Sequence, residues 1–161
     1  VGGLGFGDAA ARELGKRVAQ LEELQRLLLI LQGEIRCVRL TLPAVCELLA
    51  KDAKAPFQQF FWKVSEDLGK RTGQTAGEIW SRNLKEIQKL LFLTKKEQQD
   101  LEEFGQLLGR MDMPMQLSAI QFYQEKIMLS LAEAKAAADS RQKLYRYLGA
   151  LGGAALVLVI M

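Results

Sequence analysis

The sequence predicts an all-α protein. It reads as a bundle of about six helices with long antiparallel first and last members, followed by a C-terminal membrane-anchor segment. Three observations predict it. Apolar residues recur at steps of three and four over most of the chain, the mark of helices with one buried face. Only three prolines occur in 161 residues, while the good helix formers Leu, Glu, Gln, Lys and Ala abound. Finally, the chain closes on YRYLGALGGAALVLVIM, in which no charged side chain follows Arg146.

Each element follows from local signals. Asp8 is read as the N-cap of the first helix. Leu14, Val18, Leu21, Leu24, Leu28, Leu31, Ile35, Val38 and Leu42 then form a stripe of about four heptads that ends at Pro43. Leu27, Leu29 and Ile30 widen it, which predicts a second packing partner there. Pro43 suits the first turn of a short helix to about Ala53. A third helix begins at Pro56, with Phe57, Phe60, Phe61, Val64 and Leu68 on one face, and Gly69 to Thr75 reads as a loop. The fourth spans Thr75 to Leu93, with Ile79, Trp80, Leu84, Ile87, Leu90 and Leu91 at helical spacing. Thr94 and Glu97 form a capping box that opens the fifth helix, and Gly109 is placed to end it. The last helix starts near Pro114, carries Leu117, Ile120, Ile127, Leu131, Ala134 and Ala138 inward, and meets no breaker before the tail. Trp80 is expected in the core, while Trp62 falls beside the Phe60–Phe61 face rather than within it.

Composition excludes several classes of function. Half of the residues are hydrophobic (49%) and a quarter charged (25%), as in an ordinary single domain. A net charge of +3 gives no footprint for nucleic acid. With no histidine, the usual general base and the commonest transition-metal ligand are missing. Cys37 and Cys46 match neither a redox pair nor zinc spacing and read as reduced structural thiols. VGGLGFG is not a dinucleotide fingerprint, and no Walker motif occurs. No catalytic residue, cofactor or metal site is therefore expected.

The two ends carry the remaining signal. The fourteen apolar residues Leu148–Met161 make about 21 Å of helix, against a hydrocarbon core of about 30 Å. Their apolarity on every face, the small residues of GALGG, and the aromatic and basic boundary at Lys143, Tyr145, Arg146 and Tyr147 favour a membrane. Residues 1–7 read as the remnant of an N-terminal membrane segment, 8–146 as a helical bundle, and 147–161 as the C-terminal membrane segment. Arg12, Lys16 and Arg17 follow the first apolar end, and Arg141, Lys143 and Arg146 precede the second. The positive-inside rule then puts both collars, and the bundle between them, on the cytoplasmic side. The alternative is a soluble helical-bundle regulator whose apolar tail closes its own core or a dimer.

Taken in order, the Gly-rich apolar start, GEI at Gly33–Ile35, LPAV at Leu42–Val45, PFQQFF, Trp80, FGQLLGRMDMPMQ at Phe104–Gln116 and the apolar ending resemble the stage III sporulation protein AB family. Most specific is the Leu-Gly-x-x-Asp-x-x-x-Gln core at Leu108, Gly109, Asp112 and Gln116. The resemblance implies a non-enzymatic membrane protein of the mother cell. It would belong to the secretion-like complex that links mother cell and forespore, with a cytoplasmic domain similar to the inner-membrane platform protein of type II secretion. Its implied partners are other subunits of that complex and a secretion-type ATPase, with further copies of the chain and the bilayer beside them. Two surfaces are candidates for docking: an acidic face at Glu97, Asp100, Glu102 and Glu103, and the corner from Leu108 through Asp112 to Gln116. Asp112 is equally placed to cap the last helix ahead of Pro114, and Met111, Met113 and Met115 surround the same corner.

Overall fold

Two long helices frame the molecule. The first, α1 (Gly2–Cys37), and the last, α6 (Met113–Ile160), lie antiparallel, with Gln32 meeting Gln124 and Glu22 meeting Lys135. Between them come α2 (Leu42–Asp52), α3 (Phe57–Gly69), α4 (Ala76–Glu86), a 3-10 turn (Gln88–Leu90) and α5 (Lys95–Arg110). This computed structural model describes residues 2–37, 41–110 and 113–160, and among them six α-helices and no strand occur. The all-α expectation holds, including the antiparallel pairing of the first and last helices.

Boundaries differ in instructive ways. Helix α1 starts at Gly2, so Asp8 lies inside it rather than at its start. Thr41 caps α2 by accepting from the Ala44 N–H, with proline in the first turn, and Val38 falls outside the described residues. Helix α4 stops at Glu86, short of the predicted Leu93. Beyond the 3-10 turn the chain is extended, and period-two geometry buries Leu91 and Leu93 while leaving Phe92 between them half-covered. Helical spacing at Leu90–Leu91 had concealed that switch. At its start α4 carries a full capping box, Thr75 with Glu78, matching the one that Thr94 and Glu97 form ahead of α5. Only the second was read from the sequence.

The core is one continuous cluster. Leu21, Leu24, Leu28, Leu31 and Ile35 of α1 are buried, as are Ile120, Ile127, Leu131 and Ala134 of α6. Of the three residues that widen the stripe, Leu27 is buried, Ile30 half-buried and Leu29 exposed. A file of aromatic rings joins four helices: Phe61 to Phe60, Phe60 to Trp80, Trp80 to Phe104 and Phe104 to Tyr123, with centroids 5.1, 4.8, 6.4 and 4.6 Å apart. Such edge and stacked pairs add about 0.5–1.5 kcal/mol each beyond their burial. Trp80 also donates from Nε1 to the Leu101 carbonyl at 3.1 Å. Trp62 stays half-exposed on the far side of α3.

Chain reversals collect at two ends. At one end, Lys16, Ala19 and Gln20 of α1 border a cavity with Ala55, Pro56, Leu90 and Phe92. Gln20 holds the α4–α5 connection there, donating to the Leu90 carbonyl and accepting from the Phe92 N–H. At the other, Gly109 of α5 meets Ala76 of α4 and Leu42 of α2.

Past Ala138, α6 leaves the bundle. Residues 139–154 are all exposed, and so are Leu156 and Leu158. The described side chains of the tail therefore close no core of this chain, which removes that half of the alternative reading. Among the described residues no helix is long and apolar enough to cross a membrane, so the expectation of a transmembrane helix gains no support.

Candidate docking surfaces

The acidic face of α5 divides into an inner and an outer part. Glu97 belongs inside. Arg17 reaches it with a bidentate grip, Nε to Oε1 and Nη2 to Oε2, both at 2.8 Å, and Glu97 is only 4% exposed. Burial alone would raise the Glu97 pKa. The Arg17 hydrogen bonds and the Thr94 N–H outweigh it and hold the carboxyl below its usual range. This one pair changes two expectations: Glu97 is not presented to a partner, and Arg17 is not a free member of the basic collar. Their separation by eighty positions hid the bridge.

In the outer part Glu103 is exposed, while Asp100 and Glu102 are half-buried. Lys126 of α6 lies 3.4 Å from Asp100 and 3.5 Å from Glu103, and Glu103 also accepts from Gln99. Ser81 of α4 donates to Glu102 at 2.8 Å. With Leu84, Lys85, Gln88, Lys95, Gln98 and Gln99, these two line an open cleft of about 420 Å³ between α4 and α5. A helical wheel of α5 could suggest Glu102, Glu103 and Gln99; Ser81 and Lys126 come from other helices and carry no signal of their own.

The described residues that flank the corner between α5 and α6 are tied together. Leu108 is buried in the core, and a Cβ on Gly109 would sit 3.1 Å from that of Ala76, so a side chain there crowds the start of α4. Gln116 donates back to the Leu108 carbonyl at 3.2 Å, tying the first turns of α6 to the last of α5. The Leu-Gly…Gln spacing therefore has a structural account on its own. Asp112 and Met111 lie outside the described residues, and no side-chain placement follows for Met113 or Met115.

Of the basic collar, Arg12, Arg141, Lys143 and Arg146 are exposed. Lys16 lies 4.8 Å from the ring centre of Phe92, a cation–π position. Cys46 is fully buried and its thiol is pushed up to about 12 by desolvation, as expected of an inert structural cysteine. Cys37 has no described side chain. Among the described residues no group of three or more potential ligands could hold a metal.

With this geometry in place, the relatives can be read. The family model described as stage III sporulation protein AB matches residues 1–161. The chain belongs to that family. Stage III sporulation protein AB of Bacillus subtilis (strain 168) is 30% identical over 146 residues, which cover 91% of this chain and 85% of the relative. A solved structure of a stage III sporulation protein AB aligns with a TM-score of 0.68 at 28% identity, covering 77% of this chain and 97% of the solved one. The six-helix architecture is thus the family's own. Membership in the stage III sporulation protein AB family gives the chain a role in sporulation, and the family is not one of known enzymes.

Proposed function

We propose that this chain is a membrane-anchored scaffold of the channel complex between mother cell and forespore. The bundle would stand on the cytoplasmic face of the mother-cell membrane, held by the apolar end of α6. The outer acidic flank of α5 would dock another subunit, with a secretion-type ATPase as the expected partner. One observation carries the reading: Leu148, Leu151, Leu156 and Leu158 project from a bundle that is already complete without them. An exposed apolar helix of this kind has no reason to persist in water and a strong one to enter lipid.

Charge supports the orientation. Lys51, Lys54, Lys89, Lys95 and Lys96 are all exposed around the reversals beside Lys16 and Gln20, against the exposed acids Glu13, Glu22, Asp52 and Glu86. Together with Arg12, Arg141, Lys143 and Arg146 they turn a cationic shoulder toward the side from which the tail emerges. Anionic headgroups attract each such residue near the surface by about 1 kcal/mol.

Flotation with phosphatidylglycerol vesicles tests the proposal. The full chain is expected to float, with Leu151→Lys together with Leu156→Lys reducing the floating fraction severalfold. A full chain that stays with the soluble fraction overturns the anchor.

A further inference from the structure

The bundle leaves few large apolar side chains in water, and most of them gather on one surface. Ahead of the tail, the exposed ones among the described residues are Leu29, Trp62, Leu90, Phe122, Met128 and Leu129. Trp62 stands alone on α3 and Leu90 on the 3-10 turn, whereas the other four belong to α6 and its neighbour α1. On α6, Phe122, Glu125 and Leu129 follow at steps of three and four, so they share one outward stripe, and all three are exposed.

The seam between α5 and α6 runs beside this stripe. Phe104 stacks on Tyr123, and Lys126 lies 3.4 Å from Asp100, so the two helices run antiparallel. That register sets Leu129 level with the exposed Gln99 to within one residue. Phe122 is held more directly. The Lys126 ammonium lies 4.6 Å from its ring centre and 3.5 Å from Glu103, which links the ring to the acidic flank. An exposed ring already fixed in place costs a partner little further ordering.

Charge on this surface departs from that of the whole chain. Asp100, Glu103, Glu125 and Glu133 stand against Lys96 and Lys126, a net of −2 on a protein of net +3. Glu125, in the middle of the apolar stripe, forms no ion pair among the described residues.

We propose that the groove between α5 and α6 receives one amphipathic helix of the partner subunit. Its apolar side chains cover Phe122 and Leu129, and lysine or arginine on its flanks meets Glu103, Glu125 and Glu133. The inference rests on docking at the outer flank of α5, and it gives the shape and charge of what docks there. Apolar anchors one heptad apart, walled by a second helix, are the footprint of a helix laid in a groove. The acids around them select a basic flank. A second copy fits poorly, because a two-fold pairing through this face sets acids against acids.

Photocrosslinking of the full chain in sporulating cells tests the proposal. Phe122, Leu129 and Gln99 are replaced one at a time by p-benzoylphenylalanine, with the exposed Glu66 of α3 as the control position. Sequenced adducts from Phe122 and Leu129 are expected to share one peptide of another protein, amphipathic as a helix and bearing Lys or Arg beside its apolar face. Leu129→Lys is expected to lower the Phe122 adduct about tenfold. The purified variant should keep its circular dichroism and thermal midpoint, since Leu129 is 69% exposed. Adducts to a second copy or to lipid, a peptide without that pattern, a Phe122 yield untouched by Leu129→Lys, or an equal yield from Glu66 overturn the helix. Adducts from Gln99 alone overturn it and leave docking at the α5 flank standing; no adduct from any of the three overturns both.

Discussion

Gly105 shows how much a single residue can decide here. A Cβ at that position would fall 2.1 Å from the Trp80 indole, a contact with a rigid ring at the centre of the aromatic file. The ring is held by its bond to the Leu101 carbonyl and by Phe60 and Phe104, so it has little room to yield. Gly105→Ala is expected to cost about 2–3 kcal/mol through overpacking, read as a lower midpoint in urea denaturation at unchanged helicity. A midpoint within experimental scatter of the parent would refute this account of the glycine. Gly77 makes a useful contrast: its nearest neighbour is the flexible end of Gln106, which can move aside. None of this was legible in the sequence, where Gly105 is one glycine inside a helical pattern. Trp80 was legible as core because it fell on a helical face with Ile79 and Leu84.

At the scale of the element, the sequence was most informative about what repeats and least about what pairs. Helical spacing revealed the six helices, and the cap at Thr94 and the first-turn proline Pro43 located two starts. The early end of α4 escaped because Leu91 and Leu93 satisfy burial in an extended chain while Leu90–Leu91 also satisfy a helix. On α5, a run of acids could not disclose that Glu97 turns inward to Arg17 while Glu102 and Glu103 turn out, since the deciding partners lie on α1, α4 and α6. The docking reading now narrows to the outer flank. On the proposed docking, Glu102→Lys with Glu103→Lys is expected to reduce capture of the proposed partner subunit at least tenfold with only a modest loss of thermal stability, because Glu103 is exposed and Glu102, half-buried, gives up one hydrogen bond to Ser81. Undiminished capture by a folded variant would sink the flank as a docking site.

For the whole molecule, the titrating groups set a simple pH profile. With no histidine, no side chain of ordinary pKa titrates near neutrality, and burial keeps Cys46 protonated up to about pH 12. Three buried carboxylates are held below their usual values. Asp67 is stabilised first by the Asn83 amide and then by Arg82, against desolvation. In Glu23 and Glu97 burial opposes ionisation, and it is outweighed by Arg26 with the Lys54 N–H and by Arg17 with Thr94, respectively. A depressed carboxylate contributes stability that is complete above its unfolded value and disappears as pH falls through the folded one. Thermal stability is therefore expected to be flat from about pH 6 to 8, and to fall progressively below the ordinary carboxylate values of 4.5 and 3.8. Glu97→Gln should shift this profile by flattening part of the acid limb, measured by calorimetry across the same range.

Helix α6 runs without a break from Met113 to Ile160, about 72 Å of rod, and Lys126 on that rod braces Asp100 and Glu103. Nothing along it acts as a swivel. If the tail is anchored as proposed, the compass bearing of the acidic flank in the plane of the membrane is set by the rotational seat of the tail: one residue more or less between Ala138 and Leu148 would turn the flank by about 100°. Neighbouring subunits that grip the tail would in this way also aim the surface that receives the next partner.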